Sequence, residues 1–300
     1  MRTQQTRISV KPLRALAAGG PRSLTLPRME KNWMRRIGWV ALGVVLVAPW
    51  AARAQANQTQ AVEDEAAKNA QKARAALDAM VEALGGEAWL NIKNRFEQGH
   101  AAGFFHGDPD PGTLQLYDYH SWPDHDRIEA TKHRDVVDFF IGRDGWECTY
   151  RGKREIPKDQ LDDFLRRRDH SIETVVKLWM KDPKTILVYE GQHLASRHMA
   201  DQVTLISPQN EAVTILMDVQ THLPLKRTFQ WRDPVYKDKN TDAEEYDDYH
   251  TIEGIPTPFT VTRYKNDEIV RQFYVERVHY NQDLGPDFWD VNAVARRIKK

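Results

Sequence analysis

Residues 213–231 read VTILMDVQTHLPLKRTFQW. Apolar and polar side chains alternate on both sides of Gln220, and a period of two is that of a β-strand with one buried face. Asp218 and Thr221 can accept hydrogen bonds from the backbone of a turn, and Pro224 suits the beginning of a strand. The stretch therefore predicts an antiparallel hairpin with one apolar face.

The same alternation continues after Trp89, interrupted by Gly, Pro, Asn and Asp, as is typical of antiparallel strands. Further strands are predicted at about residues 94–105, 113–122, 126–131, 136–141, 146–150, 185–195, 202–207, 258–265 and 269–280. Between two of them, Asp144 and Gly145 predict a tight turn because both can take positive φ. Residues 237–245 form the most polar stretch and are interpreted as a solvated loop.

Two segments have the period of a helix instead. In the first, the apolar residues recur three and four positions apart: Ala70, Ala73, Leu77, Met80, Val81 and Leu84. It ends at Gly85-Gly86, and the second segment runs from Pro157 to Asp182-Pro183. We predict an α+β fold, a curved antiparallel β-sheet (incomplete β-barrel) of about ten or eleven strands with helices covering the concave face. Such layers leave room for a pocket.

The N-terminal region has the composition of an export signal. Residues 1–54 contain ten of the 43 Lys and Arg but one of the 43 Asp and Glu. From Met29, basic residues precede an apolar run at 37–48 and a small-residue cleavage site that ends at Ala54. The run of about twelve residues is shorter than the ~20 that span a bilayer. We predict translation from Met29, cleavage after Ala54 and a periplasmic location, with a membrane-tethered N-terminus as the alternative.

The predicted mature chain has a flexible lead-in at residues 55–68, a binding domain at 69–290 and a basic C-terminal tail at 291–300. No segment after Ala54 is apolar for long enough to cross a membrane. Its 33 basic and 42 acidic side chains leave it acidic, which argues against nucleic acid as a partner. Cys148 is the single cysteine, so an internal disulfide is excluded.

Several short segments of turn and packing residues recur together in one known group of proteins. They are Leu84-Gly85-Gly86 with Trp89, the turn from Gly142 to Trp146, Tyr189-Glu190-Gly191, the hairpin from Met217 to Pro224, and Gly254-Ile255-Pro256 with Tyr280-Asn281. Through them, residues 75–290 resemble the LolA/LolB-like outer membrane lipoprotein-sorting superfamily. The resemblance implies an incomplete β-barrel lined by aromatic and aliphatic side chains. It further implies that this lining shields the acyl chains of lipoproteins crossing the periplasm, without a cofactor.

The candidate lining of the pocket consists of large side chains from the predicted inner strands and lid: Phe139, Trp146, Trp179, Arg227, Phe229 and Trp231. Leu216 and Met217 stay open because the inner face of their strand is not settled. Each aromatic side chain is explained as readily by an ordinary core. Strand alternation places Arg227 on the same face as Trp231. There its guanidinium could hold a lid helix by its carbonyls, meet a lipid head group or stack on Trp231.

These features predict a non-catalytic binding protein or carrier for lipids or lipidated proteins. Its partners would be lipid acyl chains or lipoproteins, together with an inner- or outer-membrane protein. An envelope-stress sensor or regulatory interaction module on the same fold is the alternative. In that case one membrane protein would be the partner.

A metal-dependent hydrolase is a third hypothesis, because residues 120–126 (HSWPDHD) combine His120 and His125 with carboxylates. Pro123 and its neighbouring Asp residues indicate a solvated turn, and no catalytic motif accompanies them. We therefore expect no catalytic residue, metal or cofactor. Arg166-Arg167-Arg168 is interpreted as a solvated helix end. Adjacent strand residues such as Glu244 and Glu245 are expected on opposite faces.

Overall fold

The computed structural model describes residues 48–298 except Ser196, with side chains from Gln60 onward. The chain divides into two units between Asn57 and Gln58, and the sheet and its covering helices belong to the second unit. Most of the predicted export signal, including Met29 and the apolar run, lies outside the described residues. In the described part of the chain, no helix has the length and apolar character needed to cross a bilayer.

The described residues form five α-helices, two of which are shorter than seven residues. Their bounds are α1 Ala48–Ala83, α2 Glu87–Leu90, α3 Lys158–Asp169, α4 Ile172–Lys177 and α5 Val291–Ile298. A short 3₁₀ turn, Trp179–Lys181, follows α4. The second predicted helical segment is thus confirmed as α3 and α4, with Pro157 at the N-cap position of α3.

In the part of the chain that the structure describes, fourteen strands form one antiparallel sheet. Their bounds are β1 Asn94–Phe105, β2 Asp108–Pro109, β3 Leu114–Ser121, β4 His125–Ala130, β5 Val136–Ile141, β6 Asp144–Thr149, β7 Gly152–Glu155, β8 Ile186–Ala195, β9 His198–Ile206, β10 Ala212–Asp218, β11 Pro224–Arg232, β12 Lys239–Ile252, β13 Ile255–Lys265 and β14 Glu268–Tyr280. The strand order is β7-β6-β5-β4-β3-β1-β14-β13-β12-β11-β10-β9-β8, and β2 pairs with β1. The curved sheet is not closed, so the predicted α+β incomplete barrel is confirmed.

The predicted number of strands was too low. The structure adds β2, β7 and β12 to the strands read from the sequence. β2 has two residues, β7 has four, and most of β12 is polar on both faces, so alternation of apolar residues could not reveal them. The interpretation of residues 237–245 as a solvated loop was therefore wrong from Lys239 onward. The turn before β6 also differs, because Ile141 pairs with Asp144 and the central residues are Gly142 and Arg143.

Helix α1 lies on the sheet through its predicted apolar stripe. Ala73, Leu77 and Met80 are fully buried in a core that includes the inner residues of β9, β10 and β11. At the edge strand β8, the Asn69 amide donates to the carbonyl of Tyr189 and accepts from its N–H, both at 2.8 Å. The side chain thus satisfies a backbone pair where the β8–β9 register shifts.

The predicted flexible lead-in and the predicted basic C-terminal tail are both helical in the described residues. Residues 55–68, expected as a lead-in, belong to α1. Residues 291–298, expected as a basic tail, form α5, which buries Val291 and Val294 against Phe139 and Cys148. The two valines are three positions apart, which is a helical spacing. The basic residues that follow them led to the interpretation of the segment as a charged tail. α5 covers the face of the sheet opposite to α3, since Phe140 on the other face of β5 stacks on α3.

Candidate functional site

A cavity of about 310 Å³, here called the central cavity, lies between the sheet and helices α3 and α4. Its volume is at the lower end of the range for small-molecule sites. Apolar side chains form part of the wall: Ile128, Phe164, Ile172, Val261 and Phe273. Six arginines also line it: Arg95, Arg167, Arg168, Arg227, Arg263 and Arg271. Five carboxylates join them: Glu97, Asp118, Asp126, Glu173 and Glu244. The family resemblance implied an aromatic and aliphatic lining, so the charged half is a departure from it.

Four of these charges stand side by side on adjacent strands. Arg227 on β11 pairs with Glu244 on β12. Glu244 pairs in turn with Arg263 on β13, which pairs with Arg271 on β14. Residues directly opposite each other in an antiparallel sheet share a face, so all four side chains point to the same layer. On β1 the row ends at Gly103, which offers no side chain.

Arg227 fastens helix α3 to the sheet. Its Nη1 donates to the carbonyl of His170 at 2.9 Å, and its Nη2 lies 2.7 Å from Oε2 of Glu244. His170 is the C-cap residue of α3, so the cation also meets the negative end of the helix dipole. Arg227 thus makes the predicted contact with a carbonyl of the covering helix. Trp231 is stacked instead by Arg166, whose guanidinium carbon lies 3.5 Å from the ring centre.

Glu244 stays a carboxylate because arginines surround it. Burial alone would raise the pKa of Glu244, but the charges of Arg227 and Arg263 and the hydrogen bond from Arg227 lower it to about 2. Glu245 points to the opposite face, as expected, where its Oε1 lies 3.0 Å from Nζ of Lys226. Two neighbouring residues of β12 therefore make one buried and one surface ion pair.

The part of the cavity formed by β1, β3 and β4 contains most of the carboxylates. Nδ1 of His120 lies 2.6 Å from Oδ1 of Asp126, and the second oxygen of Asp126 accepts a 3.0 Å hydrogen bond from Arg168. Arg95 donates to Glu173 of α4 at 2.9 Å. Burial alone would lower the pKa of His120, but the hydrogen bond and the charge of Asp126 raise it above its ordinary value. These pairs tie α3 and α4 to the sheet.

The interpretation of residues 120–126 as a solvated turn was therefore wrong at both ends. His120 is the penultimate residue of β3 and Asp126 the second residue of β4, and the two are directly paired and buried. Only residues 122–124 form the turn between the strands, and Nδ1 of His125, the first residue of β4, lies 2.8 Å from Oδ1 of Asp124 in that turn. Among residues 60–195 and 197–298, no group of three His, Cys, Asp or Glu side chains is arranged to hold a metal ion.

Asp118 is a carboxylate of the central cavity whose pKa is raised by its surroundings. Burial, followed by the negative charges of Glu97 and Asp126, raises the pKa of Asp118 from 3.8 to about 7, although Arg95 and Arg271 attract its charge. Glu97 is its direct partner on the neighbouring strand β1. Two carboxylates opposite each other repel, so a proton on Asp118 relieves the pair near neutral pH.

Arg167, Arg263 and Arg271 line the part of the central cavity formed by α3, β13 and β14. Burial, followed by the charge of Arg263, lowers the pKa of Arg167 to about 9. Burial also lowers the pKa of Arg263 and of Arg271, and Arg263 adds repulsion on Arg271. The expectation of a solvated helix end at residues 166–168 was thus wrong, because Arg167 and Arg168 line the cavity.

Only one of the six predicted lining residues, Arg227, lines the central cavity. Phe139 and Trp146 lie on the opposite face of the sheet, in the core covered by α5. Trp179, Phe229 and Trp231 belong to or pack on the main core instead. Phe229, for example, is stacked on His170 with ring centres 4.4 Å apart. For Phe139 and Trp146 the reason is the face, because strand alternation separates the two faces of a strand but does not say which one carries the cavity. Phe229 and Trp231 share the face of Arg227 but lie further along β11, where His170 and Arg166 cover them.

The residues that sequence reasoning missed are the charged ones: Arg95, Glu97, Asp118, Arg167, Glu173, Glu244, Arg263 and Arg271. One signal was available in the sequence. Arg263 follows Val261 by two positions, and Arg271 precedes Phe273 by two positions, so each arginine shares a strand face with an apolar residue. A charge at such a position is unusual unless it is paired or functional.

Neither the family models nor the curated proteins include a match to this chain. Among solved structures, the chain is similar to a DUF1329 family protein from Desulfovibrio piger, with a TM-score of 0.52 and 12% identity over 74% of this chain and 98% of that one. A putative outer membrane lipoprotein-sorting protein domain from Vibrio parahaemolyticus is less similar, with a TM-score of 0.47 and 11% identity over 78% and 99% of the two chains. A LolA superfamily protein from Nitrosomonas europaea has a TM-score of 0.46 and 13% identity, over 72% and 95%. The TM-score of 0.52 shows that this chain shares its fold with the DUF1329 family protein, and at 12% identity the similarity extends to the fold alone.

Proposed function

We propose that this LolA-like fold serves as a non-catalytic binding protein or carrier for lipids or lipidated proteins, exported to the periplasm. The observation that supports the proposal is the central cavity itself, which stays open between the sheet and the helices. Val261 and Phe273 are directly paired on its floor, and Phe164 of α3 faces it from the lid. Each methylene buried there is worth ~0.8 kcal/mol, so an acyl chain can be held without covalent chemistry.

A direct test is native mass spectrometry of the protein purified from its own cell envelope. We expect bound lipid or lipidated peptide that is released on unfolding. Protein that is empty after mild purification, and that takes up no acyl probe afterwards, would contradict the proposal. Co-purification of one membrane protein with an empty cavity would favour an interaction module instead.

Filling the central cavity should abolish much of this binding. Val261→Trp places an indole on the floor of the cavity, and we expect the affinity for a fluorescent fatty acid to fall at least about 10-fold. The matched control is Thr260→Trp, because Thr260 points to the other face, where its partners are Asp247 and Tyr274. Fluorescence titration of both variants checks the prediction, and equal affinities would place the acyl chain elsewhere.

A further inference from the structure

We propose that Arg167, Arg263 and Arg271 form a binding site for the phosphate or carboxylate group of an acyl ligand. The inference deepens the proposed function and rests on it, since the same cavity would hold both ends of one amphipathic molecule. Below, these three residues are called the arginine site.

The close ion pairs of the cavity involve the other three arginines. The remaining lining carboxylates are Glu97, which lies 3.2 Å from Arg95, and Asp118, which attracts the charge of Arg271 but forms no salt bridge with it in the described residues. Arg95 pairs with Glu173, Arg168 with Asp126 and Arg227 with Glu244. Nε of Arg263 lies 3.9 Å from Oε1 of Glu244, the carboxylate oxygen that does not contact Arg227. For Arg271, no carboxylate lies within 4 Å in the described part of the chain.

The third member, Arg167, is held by its own helix. It donates to the carbonyl of Asp163 at 3.0 Å and to the carboxylate of the same residue. Asp163 is shared with Arg166, whose Nη2 lies 2.8 Å from it. The charge of Arg167 is therefore only partly compensated, while its side chain lines the central cavity.

Placing Arg263 directly opposite Arg271 costs stability, because like charges facing each other across a sheet repel. Burial adds to this cost, because it destabilises the charged form of both side chains and lowers the pKa of each. A core that needed only to pack would have apolar residues at both positions. An oxyanion between the guanidinium groups would remove the repulsion, and the planar fork of Arg matches the oxygens of phosphate and carboxylate.

The apolar wall begins next to these charges. Val261 is two residues from Arg263 on β13, and Phe273 is two residues from Arg271 on β14, so each pair shares a strand face. The floor of the cavity thus changes from cationic to apolar within one step along the sheet. This order of surfaces fits a ligand whose acidic group is attached directly to an acyl chain.

The experiment compares four probes by isothermal titration: dodecyl phosphate, dodecanoate, dodecanol and inorganic phosphate. We expect the two anionic acyl probes to bind at least about 10-fold more tightly than dodecanol, and inorganic phosphate to bind far more weakly than dodecyl phosphate. Higher ionic strength should reduce the preference for the anionic probes.

Arg271→Gln and Arg263→Gln should each weaken binding of the anionic probes by about 10- to 100-fold and leave dodecanol within about 2-fold. The control is Arg277→Gln, an exposed arginine of the same strand that does not line the cavity. The Tm of Arg271→Gln should not fall below that of the control, because no ion pair of the fold is lost.

Different failures have different meanings. Dodecanol binding as tightly as the anionic probes, or unchanged anion affinity in Arg271→Gln, would overturn the arginine site and leave the proposed function standing. A lower Tm and equal loss for all probes in Arg271→Gln would show that Arg271 serves the fold, and would overturn the site as well. If inorganic phosphate bound as tightly as dodecyl phosphate, the acyl part of the inference would be wrong. Absence of binding by every acyl probe would contradict the proposed function itself.

Discussion

Replacing Arg227 with methionine should lower the free energy of unfolding by about 3–5 kcal/mol. The side chain is fully buried, and its removal leaves the carboxylate of Glu244 in the cavity without its closest cation. The carbonyl of His170 also loses its donor, so α3 loses its attachment at this end. Urea unfolding of the wild-type protein and of Arg227→Met measures the difference, provided that the free energy of unfolding depends equally on urea concentration in both proteins.

The matched control lies one residue away. Lys226 and Glu245 form an ion pair on the other face of the same two strands, and both side chains are partly exposed. Lys226→Met should cost at most about 1 kcal/mol, because exposed pairs contribute little. Adding Glu244→Gln to Arg227→Met should recover part of the loss, since the uncompensated buried charge is then removed. Equal costs for the two single variants would show that burial of the Arg227 pair is not what stabilises α3.

Replacing Asp118 with asparagine should stabilise the protein at pH 8 and have little effect near pH 4. The pKa of Asp118 is raised by burial, and then by Glu97 and Asp126, from 3.8 to about 7. The folded protein therefore keeps a proton that the unfolded chain releases, and stability is lost as the pH rises from about 4 to about 7. Asn carries no charge and avoids this loss.

A pKa difference of about 3 units corresponds to a gain of about 2–4 kcal/mol at pH 8, the lower value allowing for the partial exposure of the side chain. Urea unfolding of both proteins at pH values from 4 to 8 measures the gain. Asp108→Asn, at an exposed position of β2, is the control and should show no such pH dependence. A gain for Asp118→Asn that is the same at pH 4 and pH 8 would show that the charge on Asp118 is not its cause.

Most strands with a clear apolar face could be predicted from the sequence within one or two residues, although β9 begins four residues and β13 three residues earlier than predicted. β1 and β5 have the predicted bounds, and the hairpin of β10 and β11 lies where residues 213–231 placed it. β12 could not be predicted, because residues such as Asp242, Glu244 and Asp248 make both of its faces polar. It is a strand because β11 and β13 flank it along its length, and such pairing is not encoded in local periodicity.

The candidate site was less predictable than the fold. Of the candidates read from the sequence, Arg227 lines the central cavity, whereas the aromatic candidates lie in the two cores. Part of the cavity wall is charged because neighbouring strands bring Arg227, Glu244, Arg263 and Arg271 into one row. These residues are separated by 17, 19 and 8 positions in the chain, so only the register could join them.

By itself, the sequence of this protein determined which residues of most strands share a face and where the covering helices run, because side-chain periodicity follows from local backbone geometry. Only the tertiary structure decided which face surrounds the cavity and which charges meet there. Strand order and register are set by contacts between distant parts of the chain, and a shift of one residue would exchange the two faces of a strand.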